Sequence, residues 1–294
     1  MSDKIKILVT GANGQLGSEL RELETVYTQF DFTFTDVAEL NILDIDALNS
    51  FFADKKFDFL VNCAAYTAVD KAEQEKDRAY QLNTVAIDYL VEMAQKYKFF
   101  LVQISTDYVF DGTKNNPYNE EDVPIPESQY GKTKLDAEHI VLDSEINAVV
   151  IRTSWLYSTY GNNYVKTMLR LAGERSELNI VFDQTGTPTY AYDLADAILQ
   201  IIPQLQAAPK PFRDVYHYSN EGVCSWYDFT QHIFRHCGVA CKVNPIGSEQ
   251  YPTLGHRPTF SVLDKTKIKK RFNLLVPYWV DSLDIMLDKL KSKQ

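Results

Sequence analysis

The feature that most constrains the fold is a short apolar strand followed at once by a glycine-rich turn. The strand spans 5–10, and the turn reads Gly11-Ala12-Asn13-Gly14-Gln15-Leu16-Gly17 and opens a segment with helical periodicity. A strand, a glycine turn and a helix in this order are typical of the first unit of a doubly wound parallel sheet, where the helix start can hold a dinucleotide pyrophosphate. The glycines are spaced Gly-x2-Gly-x2-Gly instead of the usual Gly-x-Gly-x2-Gly, so the turn alone does not establish a ligand.

The alternation of strand and helix continues along the first half of the chain. Strands are predicted at 32–35, 57–62, 99–105 and 148–153, and helices at 46–55, 71–96 and 130–142. This pattern predicts a Rossmann-like, doubly wound parallel α/β sheet with a smaller, interleaved C-terminal substrate-binding part. Later segments are predicted as helices at 164–172, 192–202, 225–237 and 279–291, strands at 179–182 and 215–218, and connections at 203–211 and 245–258. We predict a dinucleotide-binding domain over 1–156, to which 178–218 returns, and a mainly substrate-binding part over 157–294.

The composition limits the class of protein and its partners. The 294 residues are 45% hydrophobic, enough to bury a large core, and the net charge of −10 argues against sequence-independent nucleic-acid binding. No apolar run is long enough to cross a bilayer and no signal-peptide pattern is present, so we expect a cytoplasmic protein without membrane association. Four cysteines do not make a disulfide framework here, and Cys237 and Cys241 lack further ligands at metal spacing, so no metal is assigned.

Several residues at predicted strand ends are candidates for contacts with a nicotinamide dinucleotide. Asp36 ends the second strand, about 20 residues after the turn, where a carboxylate can bond the ribose 2′-hydroxyl. No Lys or Arg directly follows it, which favours NADH slightly over NADPH. Asp44 and Ile45 are candidates for the adenine pocket, with a purely structural role as an equal alternative. Asn83, on the long predicted helix, is a further candidate, although an exposed polar helix residue is the simpler interpretation.

The third predicted strand ends in small residues. Small side chains let a cofactor lie close to a strand end, and they equally let helices pack close. The four residues that follow this strand are the remaining cofactor candidates, namely Cys63, Ala64, Ala65 and Tyr66.

Tyr130 and Lys134 are candidates for catalysis because four residues separate them and they share one helix face. A free Tyr is a poor acid at neutral pH, but a nearby ammonium favours the phenolate and brings its proton within reach of transfer. The same Lys can bond the nicotinamide ribose. Ser105-Thr106-Asp107 ends the preceding strand, where a hydroxyl would meet the same substrate oxygen. With the glycine turn, this set predicts an oxidoreductase that moves a hydride and a proton.

With these motifs in place, the chain resembles the extended short-chain dehydrogenases/reductases over nearly its whole length. The resemblance is carried by the glycine turn, Tyr130-Gly131-Lys132-Thr133-Lys134, Asn62 to Glu73, Ser105 to Phe110, Arg152-Thr153-Ser154-Trp155, Gly161-Asn162-Asn163, Asp183-Gln184, Gly186-Thr187-Pro188-Thr189 and Arg257-Pro258. It implies reduction of the C4 ketone of dTDP-4-dehydro-L-rhamnose by NADH or NADPH, with Tyr130 as proton donor.

The resemblance also implies roles for residues that the motifs alone do not assign. Thr67, Val69, Tyr108 and Trp155 would line the sugar pocket, and Thr106 would bond the substrate oxygen. Asn163 and Arg257 would lie near the nucleotide diphosphate. Family members can pair through a Mg²⁺-linked homodimer, and Glu19 stands where one acidic ligand would fall. We leave that metal unassigned and the dimer as an expectation.

Three alternatives follow from the same residues. A sugar-nucleotide 4,6-dehydratase needs an Asp-Glu pair after the Ser or Thr, whereas Asp107 is followed by Tyr108. A 4-epimerase, or a reductase of another nucleotide-sugar, would use the same Tyr, Lys and Thr. A non-catalytic subunit, similar to the regulatory β subunit of methionine adenosyltransferase, would keep the dinucleotide fold but serve a partner protein.

Overall fold

The centre of the structure is a parallel sheet with helices on both faces. The computed structural model describes residues 4–293. Within that range the strands are β1 (Ile5–Thr10), β2 (Phe30–Thr35), β3 (Phe59–Asn62), β4 (Phe100–Thr106), β5 (Ala148–Thr153), β6 (Leu156–Tyr157), β7 (Glu177–Val181), β8 (Thr185–Gly186), β9 (Thr189–Tyr190), β10 (Arg213–His217), β11 (Cys224–Ser225) and β12 (Lys242–Ile246). Six of them form one sheet in the order β2-β1-β3-β4-β5-β10, and each neighbouring pair is parallel. The predicted Rossmann-like α/β fold is therefore confirmed.

The helices cover both faces of this sheet. In chain order they are α1 (Gln15–Leu23), α2 (Ile45–Ala53), α3 (Val69–Gln74), α4 (Lys76–Tyr80), α5 (Ala86–Tyr97), α6 (Gln129–Asp143), α7 (Tyr164–Glu174), α8 (Ala191–Ala207), α9 (Trp226–Cys237), α10 (Thr266–Phe272) and α11 (Trp279–Ser292). Ile7 and Val9 of β1 pack with α1 and α8, whereas Leu8 packs with α2, α5 and α6. All three side chains are fully buried, which explains why this strand is an unbroken apolar run.

The strand order reverses at β1, and a ligand site is expected beside this reversal. β1 lies between β2 and β3, so the connections that leave the carboxyl ends of these strands diverge and form a crevice. A row of polar side chains crosses this edge of the sheet. Thr10 Oγ1 donates to Asn62 Oδ1 at 2.7 Å, and Asn62 Nδ2 donates to Gln103 Oε1 at 2.9 Å. These hydrogen bonds tie β1, β3 and β4 together beside the crevice.

A smaller layer is formed mainly by the C-terminal half of the chain. Its core contains α7, α9, α11 and the parallel pair β7–β12, with Phe229 fully buried among aromatic neighbours. By contrast, β10 joins the central sheet beside β5, and α8 packs against α1. These contacts do not fix where one domain ends and the next begins, so the domain boundaries given above stay predictions. None of the helices between residues 4 and 293 is long and apolar enough to cross a membrane.

Three predicted segments differ from the structure. The helix predicted over 71–96 is interrupted, because α3, α4 and α5 follow one another with a π-helical turn at Gln81–Val85. The connection predicted at 203–211 begins inside α8, since Pro203 lies on the exposed side and the buried Leu205 anchors the last turn. β12 runs through Pro245 into a predicted connection, which an edge strand tolerates.

Candidate active site

The glycine turn lies against the end of β3 and leaves no space for side chains. Gly11 has a φ of +64°, and a Cβ on it would lie 2.5 Å from the backbone N of Ala64. A Cβ on Gly17 would lie 2.5 Å from Ala12 Cα, so glycine is required there for α1 to approach the turn. The residues of the turn that line the adjoining cavity are Gly14, Gln15 and Leu16.

Asp36 stands at the end of β2, beside the glycine turn. Its Oδ2 accepts a hydrogen bond from the backbone N–H of Asn13 at 2.9 Å, and its Oδ1 accepts from Val37 N–H at 2.8 Å. Glu39 Oε2 accepts from the backbone N–H of Asp36 at 2.9 Å. Two carboxylates therefore lie next to the turn.

Asp44 and Ile45 have contacts that belong to the fold. Asp44 is the N-cap of α2, where its Oδ1 accepts from the N–H groups of Asp46 and Ala47 at 3.1 and 2.9 Å. Ile45 is half-buried against the apolar cluster between the sheet and α5. Neither residue lines the two cavities described below, so these contacts favour the structural interpretation of both.

Asn83 is buried behind the loop that follows β3 and is not exposed on a helix. It lies in the π-helical turn, a local widening often found at functional sites. Its Oδ1 accepts from Tyr66 N–H at 2.7 Å, and its Nδ2 donates to Tyr66 C=O at 3.0 Å and Thr133 Oγ1 at 3.1 Å. Asn83 therefore shapes the loop from behind. The loop residues that line the cavity beside the glycine turn are Cys63, Ala64, Ala65 and Thr67, whereas Tyr66 does not line it.

Tyr130, in the first turn of α6, lines the same cavity as Thr106 at the end of β4. Burial raises the pKa of Tyr130 to about 12, while the Thr106 hydroxyl lowers it and the nearby Asp107 raises it. Thr106 Oγ1 accepts from the backbone N–H of Tyr108 at 3.2 Å, which fixes the hydroxyl at the strand end. The phenol is therefore protonated at neutral pH and lies beside a second hydroxyl.

Asp107 is a buried carboxyl next to these two hydroxyls, and the sequence assigns it no role. Within residues 4–293 its Oδ2 has no hydrogen-bond partner. Burial raises the pKa of Asp107 to about 6, with the hydroxyls of Ser261 and Thr106 opposing the rise. Its position directly after Thr106, at a strand end in the crevice, is the signal that could identify it.

Lys134 is buried one turn after Tyr130, and its ammonium points at the backbone. Lys134 Nζ donates to the carbonyl of Ile104 at 2.6 Å. Burial lowers the pKa of Lys134 to about 8, with Glu138 and Cys63 opposing the change. The charge that acts on the Tyr130 phenol here is that of Asp107. The ammonium is hydrogen-bonded to the Ile104 carbonyl, and the tuning of Tyr130 by Lys134 stays a prediction.

A buried ion pair holds α6 against the sheet. Arg152 on β5 donates to Glu138 on α6 through Nε at 3.0 Å and Nη2 at 2.6 Å. Ser105 donates to the same carboxylate, and Arg152 Nη1 lies 3.3 Å from His217 Nε2. The pair therefore fixes the helix that carries both candidate catalytic residues. Glu138 is absent from the sequence predictions, although it stands four residues after Lys134 on the same helix face.

Two adjoining cavities lie at this edge of the sheet, and Tyr130, Lys134 and Thr106 line the smaller of them. The smaller, of about 510 Å³, is bordered by the glycine turn, the loop after β3 and the ends of β4 and β5. The larger, of about 900 Å³, extends over α7 and β7. Both lie in the size range of small-molecule sites. The residues that line both cavities are the four predicted for the sugar pocket, Thr67, Val69, Tyr108 and Trp155, together with Leu156 and Trp226.

Trp155 forms part of the wall between the two cavities. Its φ of +46° is uncommon for a bulky residue. Its ring stacks on Trp226 with centroids 3.5 Å apart, and a Cβ on Gly186 would come within 2.6 Å of the indole. A strained backbone and a glycine therefore hold this indole in one place. Trp226 was not among the predicted site residues, since it lies far from the others in sequence.

Asn163 and Arg257, expected together near a diphosphate, line different cavities. Asn163 Nδ2 lies beside the smaller one and donates to Gln15 Oε1 at 3.1 Å and to Ser158 C=O at 2.7 Å. Arg257 lines the larger one and donates to both carboxylate oxygens of Asp70, at 3.1 and 2.7 Å. Of the two, Arg257 is therefore the one placed to meet a substrate in the larger cavity.

Glu19, the residue expected near a shared Mg²⁺, faces the interior of this chain. It has no exposed surface, and its Oε1 accepts from Ser158 Oγ at 2.5 Å. Lys289 Nζ on α11 lies 3.8 Å from its Oε2. This carboxylate therefore connects α1 with the loop after β6 and with α11, and it does not lie at the surface where a second subunit could reach it.

The fold and this arrangement of Tyr130, Lys134 and Thr106 beside a glycine turn define the class of extended short-chain dehydrogenases/reductases. Within that class, the chain belongs to the family described as RmlD substrate binding domain, whose model matches residues 5–292.

Named relatives and solved structures match over almost the whole chain. The dTDP-4-dehydrorhamnose reductase of Aggregatibacter actinomycetemcomitans is 40% identical, covering 95% of this chain and 97% of the relative. SpsK, a spore coat polysaccharide biosynthesis protein of Bacillus subtilis, is 37% identical, covering 90% and 91%. The crystal structure of a dTDP-4-dehydrorhamnose reductase from Clostridium acetobutylicum has a TM-score of 0.91 at 41% identity, covering 98% and 100%. That of the Bacillus anthracis enzyme, in complex with NADP, has a TM-score of 0.90 at 36% identity, covering 97% and 99%.

Proposed function

We propose that this protein reduces the C4 ketone of dTDP-4-dehydro-L-rhamnose to dTDP-L-rhamnose, with a reduced nicotinamide dinucleotide as cofactor. The observation that carries the proposal is that Tyr130 and Thr106 line a cavity bounded by the glycine turn, which adjoins a second cavity large enough for a nucleotide-sugar. Relatives with this activity match 95% of the chain, which supports the same reaction here.

The residues of the smaller cavity fit a nicotinamide dinucleotide. A Cβ on Gly11 would collide with the loop after β3, and the start of α1 lies at the cavity wall, as pyrophosphate binding requires. When bound, the cofactor supplies the hydride. Lys134 is already buried at this wall, and its ammonium can turn from the Ile104 carbonyl to ribose hydroxyls.

Tyr130 delivers the proton in the proposed reaction. Its raised pKa, about 12, keeps the phenol protonated at neutral pH and therefore ready to donate to the substrate oxygen as negative charge develops there. The Thr106 hydroxyl donates a second hydrogen bond to that oxygen. Once the proton has left, burial makes the phenolate costly, so the positive charge of Lys134 matters most at that moment.

We also propose the finer assignment of ligand contacts. Thr67, Val69, Tyr108 and Trp155 form the wall against the sugar, and Arg257 binds the nucleotide diphosphate in the larger cavity. Asp36 and Glu39 favour NADH over NADPH, because a 2′-phosphate would meet two carboxylates. The Bacillus anthracis relative binds NADP, so this preference is a property to be measured in the present chain.

The alternatives have weaker support. A regulatory subunit similar to methionine adenosyltransferase β is not favoured, because several relatives that match nearly the whole chain are named dTDP-4-dehydrorhamnose reductase. A 4-epimerase or a reductase of another nucleotide-sugar would use the same Tyr130, Lys134 and Thr106, and product analysis separates them from the proposed reaction. A Mg²⁺-linked homodimer and a cytoplasmic location stay predictions.

The test is cofactor oxidation followed by absorbance, with dTDP-4-dehydro-L-rhamnose made in the same vessel by the preceding enzymes. Substrate-dependent oxidation that yields dTDP-L-rhamnose supports the proposal, and parallel assays with NADH and NADPH measure the preference. Cofactor binding without oxidation, or oxidation with a different sugar product, would overturn it.

A further inference from the structure

We infer that α9 and α11 together form a binding site for a divalent transition-metal ion of the Zn²⁺ type, separate from the reductase site. His232 and His236 are one turn apart on α9, and Asp284 faces them from α11. One ligand atom from each lies within 4.8 Å of the others. Imidazole and carboxylate are ligands that Zn²⁺ prefers, and two histidines at this spacing can bind from one helix face.

The distances are close to those of a coordinated ion. Asp284 Oδ1 lies 2.7 Å from His232 Nε2 and 2.9 Å from His236 Nδ1. Around tetrahedral Zn²⁺, with bonds of about 2.0 Å, neighbouring ligand atoms are separated by about 3.3 Å. The ligand atoms of the two histidines lie within 4.8 Å of each other, so small shifts of the three part-exposed side chains would bring them around one ion.

A further carboxylate stands behind one of the two histidines. His236 Nε2 lies 2.8 Å from Asp288 Oδ1, while its Nδ1 faces Asp284. With an ion bound by Nδ1 and Asp284, Nε2–H would donate to Asp288. That carboxylate–histidine–metal arrangement is typical of zinc sites.

The site would join α11 to α9 and leave a fourth position for water. His232, His236 and Asp284 are each part-exposed, so an ion can enter from solvent. The two histidines stand just before Cys237 and Cys241, to which the sequence assigns no metal. Neither cysteine is part of the cluster, and none of the three ligands lines the two cavities of the reductase site.

The experiment uses the full-length protein after dialysis against a chelator. Zn²⁺ is titrated in competition with a chromophoric chelator, and Co²⁺ is titrated separately to follow the absorption bands of tetrahedral coordination. We expect one ion per chain, about 100-fold weaker binding in His232→Gln and His236→Gln, and about tenfold weaker binding in Asp288→Asn. His139→Gln, on the exposed side of α6, is the matched control and should bind as the unchanged protein does.

Each variant is checked for fold by its reductase activity, which should stay within about twofold because the cluster lies outside both cavities. If His236→Gln unfolds, Asp284→Asn provides the same test without removing a ring. Binding in the His232 and His236 variants that is as tight as in the unchanged protein, or binding that disappears only with Cys237→Ser and Cys241→Ser, would overturn the proposal. So would the absence of any rise in melting temperature with Zn²⁺ in the unchanged protein.

Discussion

The two sides of the active-site cleft are built from different interactions. On the cofactor side, polar side chains are hydrogen-bonded to one another or to the backbone, as in the row from Thr10 through Asn62 to Gln103. On the substrate side, the wall is largely aromatic, with Trp155 stacked on Trp226. The first side is held by directional bonds between neighbouring strands, and the second by packing between segments that are far apart in sequence.

Two arginine–carboxylate pairs show the consequence of this difference. Arg152 and Glu138 are almost completely buried beneath the cofactor side, where the pair holds α6 on the sheet. Arg257 is part-buried at the larger cavity, and its partner Asp70 is 43% exposed, so this pair can exchange its contacts with a ligand. The buried pair is suited to stability and the accessible pair to binding, and the following predictions test that separation.

The largest effect is expected from Tyr130→Phe, which removes the proposed proton donor. We expect kcat to fall by about 10²–10⁴-fold, the usual contribution of a positioned acid, while NADH affinity stays within about twofold. Tyr108→Phe is the matched control, since its ring contacts Tyr130 edge-to-face at 5.7 Å and lines both cavities. A Tyr130 variant that loses no more activity than the Tyr108 variant would remove Tyr130 as the donor.

The second prediction concerns stability. Arg152→Met leaves the Glu138 carboxylate buried without its partner, and we expect a loss of about 3–5 kcal/mol in the free energy of unfolding, measured by urea denaturation. The control is Arg170→Met, because Arg170 and Glu174 form a pair of similar length, 2.8 Å, that is more than half exposed. That change should cost less than about 1 kcal/mol. Equal losses in the two variants would contradict the assignment of Arg152 to the core.

The two sides also differ in how far the sequence predicts them. Gly11, Gly17 and Asp36 could be placed because all three belong to one local unit, which consists of β1, the glycine turn, α1 and β2. Tyr130 and Lys134 could be paired because helical spacing fixes their common face. The parallel sheet followed from the same local alternation, and the structure bears it out.

Contacts between distant segments escaped prediction. The burial of Asn83 depends on a π-helical turn, which no propensity signals, and on a loop that closes over it. Trp226 meets Trp155 through packing alone. Asn163 was expected at the substrate, but its amide is engaged by Gln15 of α1, a contact set by the relative position of two layers. Such contacts depend on how the layers are placed.

The third prediction tests the accessible arginine pair. Arg257→Ala should raise KM for the dTDP-sugar by about 10–100-fold, the worth of one or two charge-assisted hydrogen bonds, while kcat changes by less than about threefold. Arg78→Ala is the control, because Arg78 pairs with Glu75 at the exposed surface. A large fall in kcat at unchanged KM would show that Arg257 acts on the reacting sugar and not in binding the nucleotide.

The fourth prediction concerns cofactor preference on the polar side. Asp36→Ala should weaken NADH by about tenfold more than NADPH, because only the 2′-hydroxyl loses its acceptor. The affinities for both cofactors should also fall, because Asp36 accepts a hydrogen bond from the backbone N–H of Asn13 and this bond holds the glycine turn in place. Asp31→Ala, at the exposed start of the same strand, should change neither affinity. Equal losses for the two cofactors would leave the turn contact as the whole role of Asp36.

The smallest effect is a pH dependence of cofactor affinity that originates at Lys134. Burial lowers the pKa of its ammonium from 10.5 to about 8, so the charged form predominates below pH 8 and the neutral form above it. The positive charge attracts the anionic cofactor, so NADH affinity measured by fluorescence should be constant below about pH 7 and should fall about fivefold by pH 9.5. Lys134→Met should bind NADH weakly at every pH, without the break near pH 8. A break that persists in this variant would place the titrating group elsewhere.

Because folding favours the neutral amine, the stability that Lys134 contributes is present above pH 10.5 and is lost as the pH falls through about 8. A contribution of Lys134 that instead raises the melting temperature as the pH falls from 10.5 to 8 would contradict the burial that this prediction depends on, since the polar side of the cleft would then be open to water.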